Sequence, residues 1–476
     1  MSNGYRRYIK MIYEAVKKAL LITALMLALC QGYSASNAQE GLQEEDNKNF
    51  KVVGYYFEGF DYPIEQTVRF DRLTHVIYAF LIPAEDGSLV GIDFPSKLKK
   101  IAELAHKRGV KVLIGVGGWS YRGVPLDEAF EKMASSEESR LRFVESVAAF
   151  VEENGLDGVD MDWEYPDPGN SAANYEKVIG MLSERLSADG KILTAAVPGS
   201  PFRDRGLYEA EAISDECLKR FDWINIMAYD ADNGLGHSTY DYAESSVYYW
   251  RDTRGVAIEK LVIGVPFYAK PSWRLYRELV KEAEDNAYRD YVQGEALDSY
   301  YNGIPTIAEK TRLAMNTCSG IMIWELNMDT TDELSLLRAI NETMEERKAG
   351  RSSSNDLTIK LNGRDMVFDQ SSSLGKPFID DSGRTLVPVR KLLDEMGVEV
   401  EYNKDRRAVY ASKGGYRVKI PIDESFVETP NGRIEMDTKA VIKEGRAYIP
   451  LRYLFEAFAM PVEWHEGSRT VIVNSI

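Results

Sequence analysis

The chain has few cysteines and few histidines, three and four respectively among 476 residues. Only Cys217 and Cys318 lie beyond the N-terminal segment, too few for the disulfide framework of a small secreted domain. Their separation does not fit a metal site, and the histidines are scattered singly along the chain. The sequence therefore predicts two buried free thiols, no metal centre and no cofactor.

Positive charge is also scarce. The chain carries 58 basic and 75 acidic side chains, a net charge of −17. Five of the basic groups but only one of the acids lie in residues 1–38, so the rest of the chain carries −21. Nucleic-acid phosphates require a basic face on the protein, so this balance argues against nucleic acid as a partner.

The apolar run near the N-terminus, residues 19–29, is too short for a comfortable membrane span. Basic residues precede this run, and small and polar residues ending at Ala38 follow it, which is the order of a secretory signal peptide. We expect a signal peptide over 1–38, cleaved after Ala38, a spacer over 39–50, and a secreted, extracellular protein. An uncleaved anchor is the alternative, because the basic region is long.

What is present is an alternation of apolar strands with amphipathic helices over residues 51–347. The predicted strands are 52–57, 75–80, 110–115, 158–163, 192–197, 223–227, 261–265 and 320–324, and helices such as 95–108 and 139–154 separate several of them. Eight strands of this kind predict an α/β protein with a (β/α)8 TIM barrel, whose chemistry lies at the carboxyl ends of the strands. The small polar residues of 348–356 predict a linker to a second domain, 357–476.

Three acids alternate along the predicted fourth strand. Asp160, Asp162 and Glu164 are spaced two residues apart, so in an extended strand their side chains point to the same face. Three like charges on one buried face favour keeping one of them protonated, as a general acid requires at neutral pH. An acidic stripe on a solvent-facing strand is the alternative, but Met161 and Trp163 between the acids argue against it.

The segment from Asp157 to Glu164 resembles the signature of the family 18 glycoside hydrolases, the chitinase family. Three further segments resemble that family in the expected order, namely Gly117-Gly118-Trp119, Met227-Ala228-Tyr229-Asp230 and Trp324. The resemblance covers nearly all of residues 51–346. It implies a glycosidase that cleaves β-1,4-linked N-acetylglucosamine polymers such as chitin.

The resemblance also implies a retaining, substrate-assisted mechanism. Glu164 would protonate the glycosidic oxygen and later activate water, while the substrate's own 2-acetamido oxygen attacks the anomeric carbon. Asp162 would orient that acetamido group, Asp160 would share a proton with Asp162, and Tyr229 would donate its hydroxyl to the acetamido carbonyl. The residues implied to bind substrate are Trp324, Trp119, Tyr55, Phe80, Tyr165, Met227, Asp230 and Tyr268. A purely core role is the alternative for Tyr55 and Phe80, which lie within strand runs.

The chain departs from the family pattern after the seventh strand. Relatives often show Tyr-Gly-Arg there, whereas this chain has Tyr268-Ala269-Lys270. Lysine cannot make the bidentate contact of arginine, so a weaker grip on the leaving-group side is expected. Only about fifty residues separate Tyr268 from the last strand, which is short for the α/β insertion that walls the groove in many relatives. A shallower, more open cleft is therefore expected.

Residues 357–476 contain an internal repeat, because 384–397 parallels 446–459 and two alternating strands follow each copy. The repeat predicts a small α+β domain built from strand, helix and hairpin used twice. It resembles the N-terminal-like domain of copper amine oxidases. The region has His465 and no cysteine, so no copper site is predicted. Cell-wall or polysaccharide binding and a purely structural role both remain open, and Tyr448 and Trp464 fit either.

Two function classes remain open, an enzyme and a non-catalytic, chitin-binding lectin of the same fold. Non-catalytic members typically lose the acid, whereas this chain keeps Glu164 with Asp160, Asp162 and Tyr229, which favours the enzyme. Chitin, peptidoglycan and N-linked glycans all carry the 2-acetamido sugar that the mechanism requires. An endo-β-N-acetylglucosaminidase acting on peptidoglycan or N-glycans is therefore the alternative within the enzyme class.

Overall fold

The computed structural model describes residues 50–348 continuously, and in the C-terminal part residues 358–361, 364–366, 377–379, 384–443, 446–460, 462–465 and 470–473. The predicted signal peptide lies outside the described residues. So do the predicted spacer apart from Phe50 and the predicted linker apart from Lys348. Within the described ranges, no helix combines the length and apolar character needed to cross a membrane.

Eight parallel strands close into a barrel, which confirms the predicted (β/α)8 fold. The first strand pairs with both the second and the eighth, with Tyr55 opposite Ile77 and Gly54 opposite Ile323. A short strand, Leu89–Gly91, pairs antiparallel with the end of the second barrel strand. The barrel strands are Lys51–Phe57, His75–Pro83, Lys111–Gly117, Gly158–Asp162, Ile192–Pro198, Trp223–Met227, Leu261–Pro266 and Gly320–Trp324.

Helices surround the barrel, and capping side chains, prolines or glycines mark the ends of some of them. The helix Glu137–Glu153 begins after Ser136, whose side chain accepts the N–H of Ser139, and it ends before Gly155, which has φ 62°. The predicted helix 95–108 is Pro95–His106, with proline at its first position. The other barrel helices are Ile64–Thr67, Asp127–Ser135, Asn170–Ala188, Tyr208–Glu211, Asp215–Arg220, Tyr240–Tyr248, Tyr276–Glu282, Ile304–Thr317 and Leu336–Lys348.

The barrel interior contains both apolar and polar side chains. Val53, Ile77, Leu113, Val262 and Met322 belong to one buried cluster. On the fourth, fifth and sixth strands the fully buried positions also include polar side chains, namely Asp160, Thr194 and Asn225. Buried polar groups need partners, so this part of the barrel is where chemistry is expected. Cys217 and Cys318 are buried free thiols, as predicted.

The segment between the seventh and eighth strands carries no large insertion. Its strands, Lys270–Pro271, Tyr291–Val292 and Ser299–Tyr300, form a three-stranded antiparallel sheet of two-residue strands. This small sheet stands where the resemblance leads us to expect an α/β wall in many relatives, and the open cleft stays a prediction.

The C-terminal domain is β-rich, and its internal repeat is confirmed. The first copy consists of Thr385–Pro388, the helix Val389–Glu395 and the hairpin Glu399–Asn403 with Ala408–Lys413. The second consists of Arg446–Pro450, the helix Leu451–Ala457 and the hairpin Val462–His465 with Thr470–Val473. The leading strands of the two copies pair antiparallel, so that Val387 lies opposite Ile449. The remaining strands are Thr358–Leu361, Arg364–Asp365, Phe378–Ile379, Tyr416–Pro421, Phe426–Thr429, Gly432–Glu435 and Val441–Lys443.

Both copies contribute to one core, which includes Leu392, Leu393, Leu454 and Phe455. Tyr448 is buried beside it, so its side chain does not face solvent. The side chain of Trp464 lies outside what the structure describes.

Candidate active site

The three predicted acids lie at the carboxyl end of the fourth strand. Asp160 and Asp162 are buried within the strand, which ends at Asp162 rather than at 163 as predicted. Glu164 lies just beyond the strand end and is half-buried. The acids therefore run from the barrel interior outward, in the order that the two-residue spacing predicts.

Asp160 is held by three neutral donors. Its carboxylate accepts hydrogen bonds from the hydroxyls of Tyr55 and Thr194 and, at 2.9 Å, from the amide of Asn225. Burial raises the pKa of Asp160 to about 6, although the three hydrogen bonds act to lower it. The donors come from the first, fifth and sixth strands, so the fold fixes this carboxyl in place.

Asp162 differs from Asp160 in having a buried oxygen, Oδ1, with no hydrogen-bonding partner among the described residues. Burial, followed by repulsion from Glu164 and Asp160, raises the pKa of Asp162 well above its usual range. Burial also raises the pKa of Glu164 to about 7, with Asp230 adding to the rise and a hydrogen bond from Tyr165 opposing it. Because the two groups would repel each other as carboxylates, the charge of each favours the protonated form of the other.

Tyr229 and Asp230 follow the sixth strand and complete the polar side of the site. Asp230 has φ 59°, accepts a 2.7 Å hydrogen bond from the hydroxyl of Tyr268, and lies 2.9 Å from Nδ1 of His237. Burial would raise the pKa of Asp230, but the contacts with His237 and Tyr268 outweigh it, so the pKa lies below its usual range. Asp230 is thus ionised, whereas burial holds the Tyr229 hydroxyl protonated by raising its pKa.

Trp324 forms the floor of the site. Its ring stacks on Phe80, with centroids 5.7 Å apart, and meets Tyr55 edge-on at 5.4 Å. Gly118 makes room for this arrangement, because it has φ 88° and a Cβ there would come within 2.7 Å of the Phe80 ring. Tyr55 is buried and also lines the cavity of the site, so its core position does not exclude the predicted binding role, which stays a prediction.

A cavity of about 630 Å³ joins these groups. Of the predicted site residues, the structure places all but Asp160 in its wall, since Asp160 lies behind Asp162 and Tyr55. The predicted residues that line it are Tyr55, Phe80, Trp119, Asp162, Glu164, Tyr165, Met227, Tyr229, Asp230, Tyr268 and Trp324. The size and aromatic lining suit a chain of sugar rings, whose C–H faces stack on flat rings.

Four lining residues were not among the predicted site residues, namely Phe57, Ser120, Lys270 and Trp273. Trp273 is 62% exposed, stacks on Tyr268 with centroids 5.5 Å apart, and lies under the Lys270 ammonium at 3.4 Å from its ring centroid. Lys270 also lies 3.4 Å from the Asp230 carboxylate, a single point contact of the kind expected for lysine. Trp273 could have been predicted as a site residue from the sequence, because it is an aromatic residue that closely follows Tyr268.

Comparison with known proteins identifies the family. Residues 51–329 match the sequence model of the glycosyl hydrolases family 18. The chain belongs to this family. Residues 360–473 match the copper amine oxidase N-terminal domain, in agreement with the predicted resemblance.

Several curated relatives of this family 18 protein carry chitinase or chitotriosidase names. It is 28% identical to the probable chitinase 10 of Drosophila melanogaster over 46% of this chain and 11% of that protein. It is 29% identical to mouse (Mus musculus) chitotriosidase-1 over 46% of this chain and 53% of that protein. The chain thus spans about half or less of the length of these two relatives.

Solved structures agree on the barrel. The family 18 chitinase ChiB of Flavobacterium johnsoniae is 30% identical, with a TM-score of 0.54 over 63% of this chain and 95% of that one. A chitinase from Bacteroides thetaiotaomicron is 26% identical, with a TM-score of 0.53 over 63% of this chain and 97% of that one. Family membership and these neighbours support a glycosidase.

Proposed function

We propose that this protein is a secreted, retaining glycoside hydrolase that cleaves β-1,4-linked N-acetylglucosamine polymers, with Glu164 as acid and base. The observation that carries the proposal is the carboxyl pair of Asp162 and Glu164 in an aromatic cavity, with the pKa of both groups raised. A carboxyl group whose pKa is raised toward neutrality can supply a general acid at that pH.

In the first step Glu164 donates its proton to the glycosidic oxygen as the bond from that oxygen to the anomeric carbon breaks. The acetamido oxygen of the same sugar bonds to that carbon, giving an oxazolinium ion. The partnerless Oδ1 of Asp162 supports this role, because a buried acceptor can take the acetamido N–H and stabilise the developing positive charge. The Tyr229 hydroxyl lines the same cavity and would donate to the acetamido carbonyl.

In the second step Glu164, now ionised, takes a proton from a water molecule that attacks the anomeric carbon. The bond to the acetamido oxygen breaks and the acetamido group is restored. Two successive inversions retain the configuration at that carbon. No second carboxylate has to act as a nucleophile, since the nucleophile belongs to the sugar.

Aromatic side chains would hold the polymer across the site. Trp324 would support the sugar that reacts, because its ring lies beside the acids and stacks on Phe80. Trp119 is 63% exposed and could contact sugars farther along the chain. Trp273 is 62% exposed although its ring also contacts Tyr268 and Lys270, so its exposed part could do the same. An extended polymer of N-acetylglucosamine fits this row of rings better than a short ligand would.

Product analysis by mass spectrometry of wild type and Glu164→Gln tests the proposal, with Glu153→Gln, an exposed change at a helix end, as the matched control. Each protein is offered a chitin oligosaccharide, a peptidoglycan fragment and a high-mannose glycopeptide. We expect wild type and control to cleave the chitin oligosaccharide, and Glu164→Gln to bind it without cleavage. Turnover by Glu164→Gln would overturn the assignment of the acid. Cleavage of another substrate alone would change the named substrate, and tight binding without cleavage by any of the three would indicate a lectin.

Secretion is proposed because basic, apolar and small residues follow one another in residues 1–38 in the order of a signal peptide. N-terminal sequencing of the exported protein tests it, and we expect Gln39 as the first residue. Association with a cell wall through the C-terminal domain stays a prediction.

A further inference from the structure

Three side chains from two domains converge outside the proposed active site. Asp241 lies in the first turn of the barrel helix Tyr240–Tyr248, whereas Glu463 and His465 lie in the strand Val462–His465 of the C-terminal domain. Nε2 of His465 lies 3.3 Å from Oε1 of Glu463 and 3.9 Å from Oδ1 of Asp241. One ligand atom of each residue lies within 4.8 Å of the other two. We call these three residues the interdomain cluster.

The imidazole of His465 is held rigidly. His465 is only 6% exposed, and its imidazole ring stacks on the Tyr240 ring, with centroids 3.9 Å apart and planes 4° from parallel. Its Nδ1 hydrogen-bonds to the carboxylate of Glu309, which in turn lies 3.5 Å from the buried ammonium of Lys360. These neighbours fix both the plane of the ring and the direction in which Nε2 points.

Nε2 of His465 is buried and has no hydrogen-bonding partner among the described residues. When Nδ1 donates its proton to Glu309, Nε2 presents a lone pair to the carboxylates of Asp241 and Glu463. A buried lone pair that faces two anions is unfavourable unless a proton or a metal cation lies between them. Nε2 of His465 is therefore an unused metal-ligating atom that points toward two carboxylates.

We propose that the interdomain cluster binds a divalent transition-metal cation, of which zinc is the probe, where the barrel meets the C-terminal domain. In a tetrahedral zinc site with bonds of about 2.1 Å, ligand atoms lie about 3.4 Å apart. The separations of 3.3 and 3.9 Å thus need only a small closure around the ion. A bound histidine usually donates its other N–H to a carboxylate, and Glu309 occupies that position.

The cluster is also open on one side. The side chains of Asp241 and Glu463 are 74% and 58% exposed, so an ion can enter from solvent and water can complete its coordination. Because Asp241 belongs to the barrel and the other two ligands to the C-terminal domain, the ion would join the two domains. The competing occupant of the same position is a proton on Nε2, which would contact Glu463 as an imidazolium.

The test uses the intact two-domain protein, stripped with a chelator and titrated calorimetrically with Zn²⁺. A parallel titration with Co²⁺ reports tetrahedral N/O coordination through its visible absorption. We expect one ion per chain, a Kd at least tenfold weaker in Asp241→Asn and in Glu463→Gln, and an unchanged Kd in Glu401→Gln, an exposed acid elsewhere in the C-terminal domain.

Asp241→Asn is the deciding variant, because an exposed side chain can be changed without disturbing the buried His465–Glu309 contact. Zn²⁺ should raise the Tm of wild type and of Glu401→Gln but not of Asp241→Asn. Absence of saturable uptake, or equal affinity in Asp241→Asn and in the control, would overturn the proposal and leave the proton as the occupant.

Discussion

The rate of hydrolysis should fall above about pH 7, because Glu164 must carry a proton to act as the acid. Burial, with help from Asp230 and against the Tyr165 hydrogen bond, raises the pKa of Glu164 to about 7. A carboxyl group of ordinary pKa, about 4.3, would be protonated in roughly 0.2% of molecules at pH 7, against about half for a pKa of about 7. The cavity therefore increases the acid available at neutral pH by roughly two orders of magnitude.

The assay is kcat/KM for a fluorogenic N-acetylglucosamine oligosaccharide between pH 5 and pH 9.5 at constant ionic strength. From pH 7 to pH 9 the protonated fraction of such a group falls from about half to about 1%, so kcat/KM should fall about 50-fold. The slope above the midpoint should be one decade per pH unit. Circular dichroism at each pH verifies that the protein stays folded.

Two variants sharpen the test. Asp230→Asn removes a neighbouring negative charge that raises the pKa of Glu164, so the descending limb should move to lower pH. Glu153→Gln, a change far from the cavity wall, should leave the limb where it is. A profile that is flat to pH 9, or one that already falls by about a decade per pH unit from the lowest pH measured, would refute the reasoning.

Two further outcomes are expected. Trp273→Ala should raise KM for long chitin oligosaccharides about fivefold, equivalent to about 1 kcal/mol of lost aromatic contact, with kcat for a dimeric substrate unchanged. Tyr208→Ala, which removes an exposed ring outside the cavity wall, is the control, and an equal effect there would contradict the placement. Burial raises the pKa of Glu325 to about 8, so the folded protein retains a proton that the unfolded chain loses above pH 4.5. This contribution to stability is complete below pH 4.5 and is lost as the pH rises through 8. In urea unfolding, the free energy of unfolding should therefore fall less between pH 6 and pH 9 for Glu325→Gln than for wild type. An equal fall in the two proteins would contradict this.

The barrel could be predicted from the sequence because its strands are short apolar runs. Residues that favour turns mark the ends of these runs. The eight observed strands overlap the eight predicted ones, but most of them differ from the prediction by one to three residues at one end or both. The second strand, for example, runs on to Pro83, and the fourth ends at Asp162. Local pattern also located the acids, since a period of two puts their side chains on one face. The internal repeat was visible because each copy is one supersecondary unit used twice around one core.

What the sequence did not reveal depends on contacts between distant strands. Thr194 and Asn225 are single polar residues in apolar strands, and only closure of the barrel brings them to Asp160. The same holds for the interdomain cluster. The histidines are isolated in sequence, and two of the three proposed ligands are carboxylates, one of them in the other domain. Spacing along the chain carries no signal for such groupings.

The contrast between Asp160 and Asp162 shows how the barrel gives two identical side chains different environments. Both are aspartates on one strand, but three donors from the first, fifth and sixth strands occupy the oxygens of Asp160, whereas Oδ1 of Asp162 has no partner among the described residues. A saturated carboxylate is fixed and has little capacity left to bind substrate. An unsaturated buried one gains most when a donor arrives. Because an acetamido N–H is such a donor, substrate binding itself would supply the hydrogen bond that the empty fold leaves unmade at Asp162.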